Sequence, residues 1–172
     1  MDSILVVSYS LTGTSRRAAQ LLCSHHSWPL GEISGKEAGR GNWRCVLDSL
    51  LRRRPAIRYQ GPDPADFRTV VLVSPIWVYR LAGPMRSFVV DHRDALKRVA
   101  VVQTMNSAGA SNAFGEIAQL LGHGLIDAVA CTAHEIETGS ATGRLLAFAE
   151  ALQPGSVATQ PARKPAWTAP AA

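Results

Sequence analysis

The sequence contains no long hydrophobic run. Its longest aliphatic runs are four or five residues, whereas a helix that crosses a bilayer needs about 20 apolar residues. Residues 1–3, which precede the first apolar run, carry no basic stretch and no cleavage pattern, so we expect no secretion signal. The sequence therefore argues against a membrane protein, and its hydrophobic content of 47% is typical of a globular chain.

Cysteine is scarce and scattered. Cys23, Cys45 and Cys131 are the three cysteines, and no two of them have the CxxC spacing of zinc sites and dithiol motifs. An odd, dispersed set is typical of reduced thiols that pack inside a cytoplasmic protein. We therefore predict a cytoplasmic protein in which these thiols carry no chemistry.

Lysine is also rare. Arginine supplies fifteen of the eighteen lysine and arginine residues, and the formal net charge is +5. The arginines are spread along the chain, and the one compact run is Arg52, Arg53 and Arg54 at the expected end of a helix, where cations are favourable. No basic stretch is interleaved with aromatic residues. The charge therefore does not predict nucleic-acid binding.

Apolar runs alternate with helical patterns along the chain. Strands are predicted near residues 4–8, 29–33, 69–73, 99–102 and 126–131, and helices are predicted to begin near residues 14, 42, 84, 111 and 141. Strands that are apolar on both faces predict a parallel sheet covered by helices on each side. With 172 residues, the chain fits one domain over residues 1–152, followed by a flexible Pro/Ala-rich tail over residues 153–172.

The first strand ends in a turn rich in hydroxyl groups, and a helix follows at once. The turn consists of Ser10, Leu11, Thr12, Gly13, Thr14 and Ser15. Hydroxyls and the free amides of a helix N-terminus both donate to an anion, and glycine permits close approach of the backbone. No lysine follows the glycine as in a Walker A loop, and the other glycines of a dinucleotide fingerprint are missing. The turn predicts a site for one monophosphate; the alternative is an ordinary helix cap.

Two later turns extend this pattern. The third strand is followed by Pro75, Ile76 and Trp77, and then by a Gly-Pro that begins a helix, whereas the fourth strand is followed by Asn106, Ser107, Ala108 and Gly109. The order and spacing of these three turns resemble those of the flavodoxin-like proteins over about residues 3–152. The three turns resemble, in order, the phosphate loop and the second and third flavin loops of that family.

The resemblance implies an α/β fold, the flavodoxin-like three-layer sandwich, with a five-stranded parallel sheet in the order 2-1-3-4-5. It also implies that FMN is bound without a covalent bond by the residues of the three turns. Trp77 would stack on the flavin ring, with Tyr79 a further aromatic candidate, and the third turn would meet the pyrimidine oxygens. No residue of the protein is expected to act as a catalytic acid or base, and no metal site is expected.

The chain departs from the family in its charge. Acidic residues around the flavin of single-electron flavodoxins make the fully reduced anion hard to form, whereas this chain is basic and places Arg80 in the second flavin loop. A cation ~8 Å from the flavin is worth ~2 kcal/mol at an effective dielectric constant of ~20, before salt screening. We therefore expect a less negative reduction potential than in acidic flavodoxins.

Three functions remain open at this stage. The first is electron transfer to or from a redox partner protein. The second is an NAD(P)H-dependent reductase of quinones or flavins, in which Arg80 or Arg86 attracts a nucleotide phosphate. The third is a scaffold whose flavin site has decayed, although a loop of hydroxyl groups has no packing purpose that would preserve it.

Overall fold

The computed structural model describes residues 3–35, 51, 54–106 and 109–153. Its strands are β1 (Ile4–Tyr9), β2 (Leu30–Gly35), β3 (Ile57–Gln60), β4 (Thr69–Trp77), β5 (Arg80–Leu81), β6 (Val99–Met105) and β7 (Asp127–Thr132). Its helices are α1 (Thr14–His26), α2 (Gly83–Asp91), α3 (Ala110–Leu121), α4 (Ala133–Thr138) and α5 (Thr142–Leu152), with a short 3₁₀ turn at Pro64–Asp66. None of the helices in these residues is long and apolar enough to cross a membrane.

The strands form one mixed sheet in the order β3-β2-β1-β4-β6-β7. All neighbours among β2, β1, β4, β6 and β7 are parallel. This is the predicted order 2-1-3-4-5, which is therefore confirmed for the parallel strands. The prediction of five strands was incomplete, because β3 and β5 add short antiparallel pairs to β2 and β4.

The sheet is covered on both faces. One core cluster contains Phe88 of α2 and Ile117 of α3, and the other contains Leu22 of α1 and Leu145 of α5. Alternate residues of the central strands supply the two clusters, since the side chains of a strand point to opposite faces in turn. The three-layer arrangement is therefore confirmed. The helix predicted from residue 42 and the tail beyond residue 153 lie outside the described residues, so the domain boundaries stay predictions.

The extra strand β3 is held by a tyrosine. A Cβ atom at Gly31 would come within 2.3 Å of the Tyr59 hydroxyl oxygen. A Cβ atom at Gly61 would come within 2.5 Å of the Cα of Gly31 and 2.8 Å of the same hydroxyl oxygen. The Tyr59 hydroxyl donates to the carbonyl of Pro62 at 2.7 Å. Burial, together with the nearby charge of Asp63, raises the pKa of Tyr59 to about 12. The tyrosine therefore stays neutral and fixes β3 against the edge of the parallel sheet.

The sequence did not predict the short helix α4, which follows β7. The Thr132 hydroxyl accepts from the amide of Glu135, and the Glu135 carboxylate accepts from the amide of Thr132 at 2.7 Å, which is a capping box. Arg144 of α5 also donates to the Glu135 carboxylate. The Thr132 amide, followed by the Arg144 guanidinium, lowers the pKa of Glu135 to about 2.

This carboxylate predicts a dependence of stability on pH. A carboxyl group whose pKa is lower in the folded state stabilises the fold above its unfolded pKa and loses that effect as the pH falls. Replacing Glu135→Gln should therefore lower the free energy of unfolding at pH 7, and the difference from the parent protein should shrink between pH 4.5 and about 2. Urea unfolding at a series of pH values measures this. The exposed Glu137→Gln on the same helix is the control and should behave like the parent.

Candidate functional site

The first turn leaves the N-terminus of α1 without a side-chain cap. Gly13 is the N-cap residue, with a φ of 95° in the left-handed region that favours glycine. The Ser10 hydroxyl accepts from the Gly13 amide at 3.0 Å, which braces the turn. Within the part of the chain that the structure describes, no side chain caps the first turn of α1, so the amides of Thr14, Ser15 and Arg16 lack the partners that a cap supplies. These amides and the helix dipole form a cradle for an anion.

The hydroxyl groups of this turn are not equivalent. Ser15 is buried, and its Oγ lies 2.7 Å from the Oγ1 of Thr104 in β6, so this hydroxyl ties the helix to the sheet. Thr12 is exposed, and its Oγ1 lies 3.5 Å from that of Thr14. Leu11 is exposed as well. Thr12 and Thr14 are therefore the side chains of the turn best placed to donate to a ligand.

The second turn differs from the prediction, because its residues belong to the sheet. Pro75, Ile76 and Trp77 continue β4 beyond its last pair with β1, and Pro75 pairs with Thr104 of β6. Proline is tolerated there because the β1–β4 ladder has already ended, so the missing amide leaves no gap in it. The residues predicted as a loop are thus the last residues of β4. The chain reverses after them in a hairpin of residues 77–81.

The tip of this hairpin is strained. Val78 and Tyr79 have φ values of 48° and 62°, in the left-handed region that non-glycine residues rarely adopt. Two-residue hairpin turns with both φ values positive strongly prefer Asn-Gly. Val78 and Tyr79 are also exposed, at 48% and 57%. A strained, exposed turn in a compact domain is typical of a functional site.

Trp77 brings the second turn to the first. Its ring lies edge-on to the ring of Tyr9, with 5.6 Å between the centroids and 80° between the planes. Tyr9 is the last residue of β1 and directly precedes the anion cradle. Trp77 is only half-buried, which leaves part of its ring available for a ligand that reaches from the cradle along the strand ends.

The third turn lies against the hairpin. Gly109 has a φ of 109°, and a Cβ atom there would come within 2.7 Å of the Cα of Tyr79 and 3.2 Å of Cγ2 of Ile76. Asn106 is exposed at the end of β6. Ser107 and Ala108, the other two predicted residues, lie outside the described residues. The structure therefore brings the described parts of all three predicted turns to one edge of the sheet.

A buried ion pair behind the hairpin was not predicted. Arg86 Nε donates to Glu116 Oε1 at 2.6 Å, and the two side chains are only 3% and 10% exposed. The sequence suggested that Arg86 attracts a nucleotide phosphate. Because its guanidinium is buried and paired with Glu116, Arg86 is not available for that role. In the sequence each charge resembles an ordinary surface charge, and Glu116 shares its helix face with the polar Asn112 and Gln119, so no sequence signal indicated the pair.

Arg80 has a different environment. It lies half-buried in β5, opposite Trp77, and borders an open groove of ≈ 880 Å³ between the hairpin and α3. The other walls of the groove include Tyr79 and the polar residues Ser111 and Asn112. Arg80 therefore adjoins the second turn, as the prediction of a less negative reduction potential requires. That potential stays a prediction.

The packing of Gly109 generates a test of the site. Replacing Gly109→Ala combines a left-handed φ with a collision against backbone, so it should lower the free energy of unfolding by at least ~1–2 kcal/mol. Replacing Gly115→Ala is the matched control, because a Cβ atom there meets nothing within 4 Å inside α3. This change should stabilise the protein by ~0.5–1 kcal/mol. Chemical denaturation of both variants measures the difference, and equal effects would contradict the close approach of the two turns.

The sequence matches no protein-family model and none of the curated proteins. Solved structures do match. The flavoprotein from Lactobacillus acidophilus NCFM, determined in complex with FMN, is similar with a TM-score of 0.66 and 18% identity over 81% of this chain and 99% of that chain. Flavodoxin 2 from Bacillus cereus matches with a TM-score of 0.52 and 18% identity, over 87% and 99% of the two chains.

A third match is the Trp repressor binding protein from Bacillus subtilis, with a TM-score of 0.55 and 13% identity over 83% of this chain and 99% of that chain. Identities this low show a common fold. The chain has the flavodoxin-like fold of the flavoproteins and flavodoxins that it resembles.

Proposed function

We propose that the protein binds FMN without a covalent bond and transfers electrons through it. The observation that carries this proposal is the uncapped N-terminus of α1 at Gly13, which lies at the same sheet edge as the half-buried Trp77. In open parallel sheets, ligands bind beyond the carboxyl ends of the strands where the strand order reverses, here between β1 and β4. The flavoprotein of the same fold that was solved with FMN supports this choice of ligand.

The phosphate of FMN fits the cradle. The amides of Thr14, Ser15 and Arg16 and the hydroxyl of Thr12 are donors, which is what the phosphate oxygens require. In the first turn of α1 there is no acidic side chain to repel the phosphate. Gly13 has no side chain, so the backbone can approach the phosphate closely.

The ring of FMN fits the other two turns. Its flat apolar part matches the exposed portion of Trp77, and the exposed Tyr79 offers a second aromatic surface. The exposed Asn106 carries an amide group that can donate to the pyrimidine oxygens. When bound, the flavin supplies the redox chemistry, so the protein's own residues only bind, orient and tune it.

A cytoplasmic location agrees with the free thiols of Cys23 and Cys131, whose pKa values burial raises.

Affinity for two flavins tests the proposal. Purified protein titrated with FMN and with riboflavin should quench the fluorescence of both, and it should bind FMN more tightly because only FMN carries the phosphate. An absorption spectrum of the protein as isolated should show bound flavin. Absence of flavin from the isolated protein, combined with no quenching by FMN, would favour the scaffold with a decayed site.

Thr12→Ala tests the phosphate site independently of the ring site. The change removes one exposed donor, so FMN affinity should fall by ~0.5–1.5 kcal/mol while riboflavin affinity stays the same. Thr12 is a cleaner target than Ser15, whose hydroxyl also bonds Thr104 inside the fold. Ser24→Ala, near the other end of α1, is the control and should bind both flavins like the parent. Equal losses for FMN and riboflavin would remove Thr12 from the phosphate site.

The reductase remains the second candidate because of Arg80. Its guanidinium borders the groove beside the hairpin, where the phosphate of a nicotinamide nucleotide would find a cation. Glu116, which also lines the groove, is paired with Arg86 and does not cancel that charge.

The electron donor distinguishes the two candidates. For a carrier, NADPH or NADH added without oxygen should leave the flavin of the holoprotein oxidised until a partner reductase is supplied. For a reductase, the nucleotide alone should bleach the flavin absorbance rapidly, and Arg80→Gln should slow that bleaching. Dithionite, which needs no binding site, should bleach the flavin of both proteins and is the control. We expect the carrier result.

A further inference from the structure

We propose that the buried Arg86–Glu116 pair is a positioning device for the flavin ring, because it anchors the hairpin of residues 77–81. This inference rests on the proposed function. The two side chains come from α2 and α3, and both reach the same residue of β5, Leu81. The pair therefore connects two helices to the hairpin on one side of the site.

The contacts show how the anchor works. Arg86 Nη2 donates to the carbonyl of Leu81 at 3.1 Å, and the Leu81 amide donates to Glu116 Oε2 at 3.4 Å. Leu81 lies opposite Ile76, one position beyond the pair of Trp77 and Arg80 that flanks the turn. Because the backbone groups of alternate residues in such a ladder point outwards, β5 needs partners on its outer side. The two charged side chains provide them and take the place of a neighbouring strand.

The hairpin requires this support. Its two turn residues, Val78 and Tyr79, both have positive φ values, and neither has the short side chain that tolerates them. A two-residue strand with a strained turn has little stability of its own. The opposite charges of a buried ion pair keep its two side chains together, because separating them would leave each charge buried and unpaired. The pair thus fixes a conformation that the local sequence disfavours.

The position of the hairpin determines the ring site and leaves the phosphate site unaffected. Trp77 contacts the ring of Tyr9, which its pairing with Ile33 holds in the sheet, and Tyr79 lies against Gly109 of the third turn. The phosphate cradle is secured separately, through the Ser15–Thr104 contact of α1 with the sheet. A change in the ion pair should therefore alter affinity for the ring of FMN and riboflavin alike. A change in the cradle alters only FMN.

The decisive variant replaces both charges with apolar side chains of similar size, Arg86→Met with Glu116→Leu. Apolar replacement of a buried ion pair is often neutral or stabilising, so this variant should unfold cooperatively in urea like the parent. It leaves the backbone groups of Leu81 without partners. Dissociation constants for FMN and for riboflavin should both rise about tenfold, the factor for one or two net hydrogen bonds, and their ratio should stay unchanged.

A second variant and a control complete the test. Arg86→Lys keeps the charge but lacks the fork that reaches Glu116 and the Leu81 carbonyl together, so it should weaken both flavins as well. Arg93→Met is the control, because Arg93 also donates from the same side of the sheet to a backbone carbonyl, that of Leu121, at the far end of α3. It should bind both flavins like the parent.

Amide hydrogen exchange of the flavin-free protein measures the anchor directly. The Leu81 amide should exchange slowly in the parent and at least tenfold faster in the double variant. Parent-like affinities for both flavins in the double variant, or a loss for FMN alone, would overturn the inference. If the parent itself binds no flavin, the proposed function fails, and the exchange of Leu81 still shows whether the pair anchors the hairpin.

Discussion

The pairing of β1 with β4 at the centre of the sheet is the constraint on which the rest of the structure depends. Ile4 to Ser8 pair in parallel with Thr69 to Val73, and nearly every residue of both strands is buried. Water cannot reach these backbone groups, so they must bond to each other. The chain is free of the ladder only where the strands end, and parallel strands end at the same edge. Three turns that are distributed over residues 10–109 therefore meet there.

The sequence predicted this framework because the central strands are apolar on both faces, a pattern that few other structures produce. It did not predict β3 and β5, which are short and carry few apolar residues. Strand β5 depends on a turn formed by Val78 and Tyr79, whose side chains do not signal a turn of this kind. Pro75 was interpreted as the end of a strand, whereas β4 continues there because it still pairs with β6. The ladder with β1 has already ended, so the missing amide of proline is tolerated. Neighbouring strands decide such cases, and no local pattern reports them.

The location of the candidate site was accessible from the sequence, and its internal contacts were not. The order and spacing of the three turns were sufficient to predict that they meet. The contacts of Tyr9 with Trp77 and of Gly109 with Tyr79 join residues far apart in the chain, so only the folded structure reveals them. The same holds for Arg86 and Glu116, which on separate helices resemble ordinary surface charges. The residue types in a turn indicate which ligand groups it can bind. The geometry of the site depends on contacts between residues that are distant in the sequence.

The antiparallel strand β3 has a consequence for how this fold can vary. Gly35 at the end of β2 pairs directly with Ile57 at the start of β3, so the chain leaves and re-enters the sheet at adjacent points. Lengthening a connection between fixed, adjacent ends costs little entropy, since the cost grows only with the logarithm of its length. The adjacent positions of Gly35 and Ile57 therefore set only a small entropic limit on the length of the chain that joins them. This edge is a natural place for a protein of this architecture to acquire new parts.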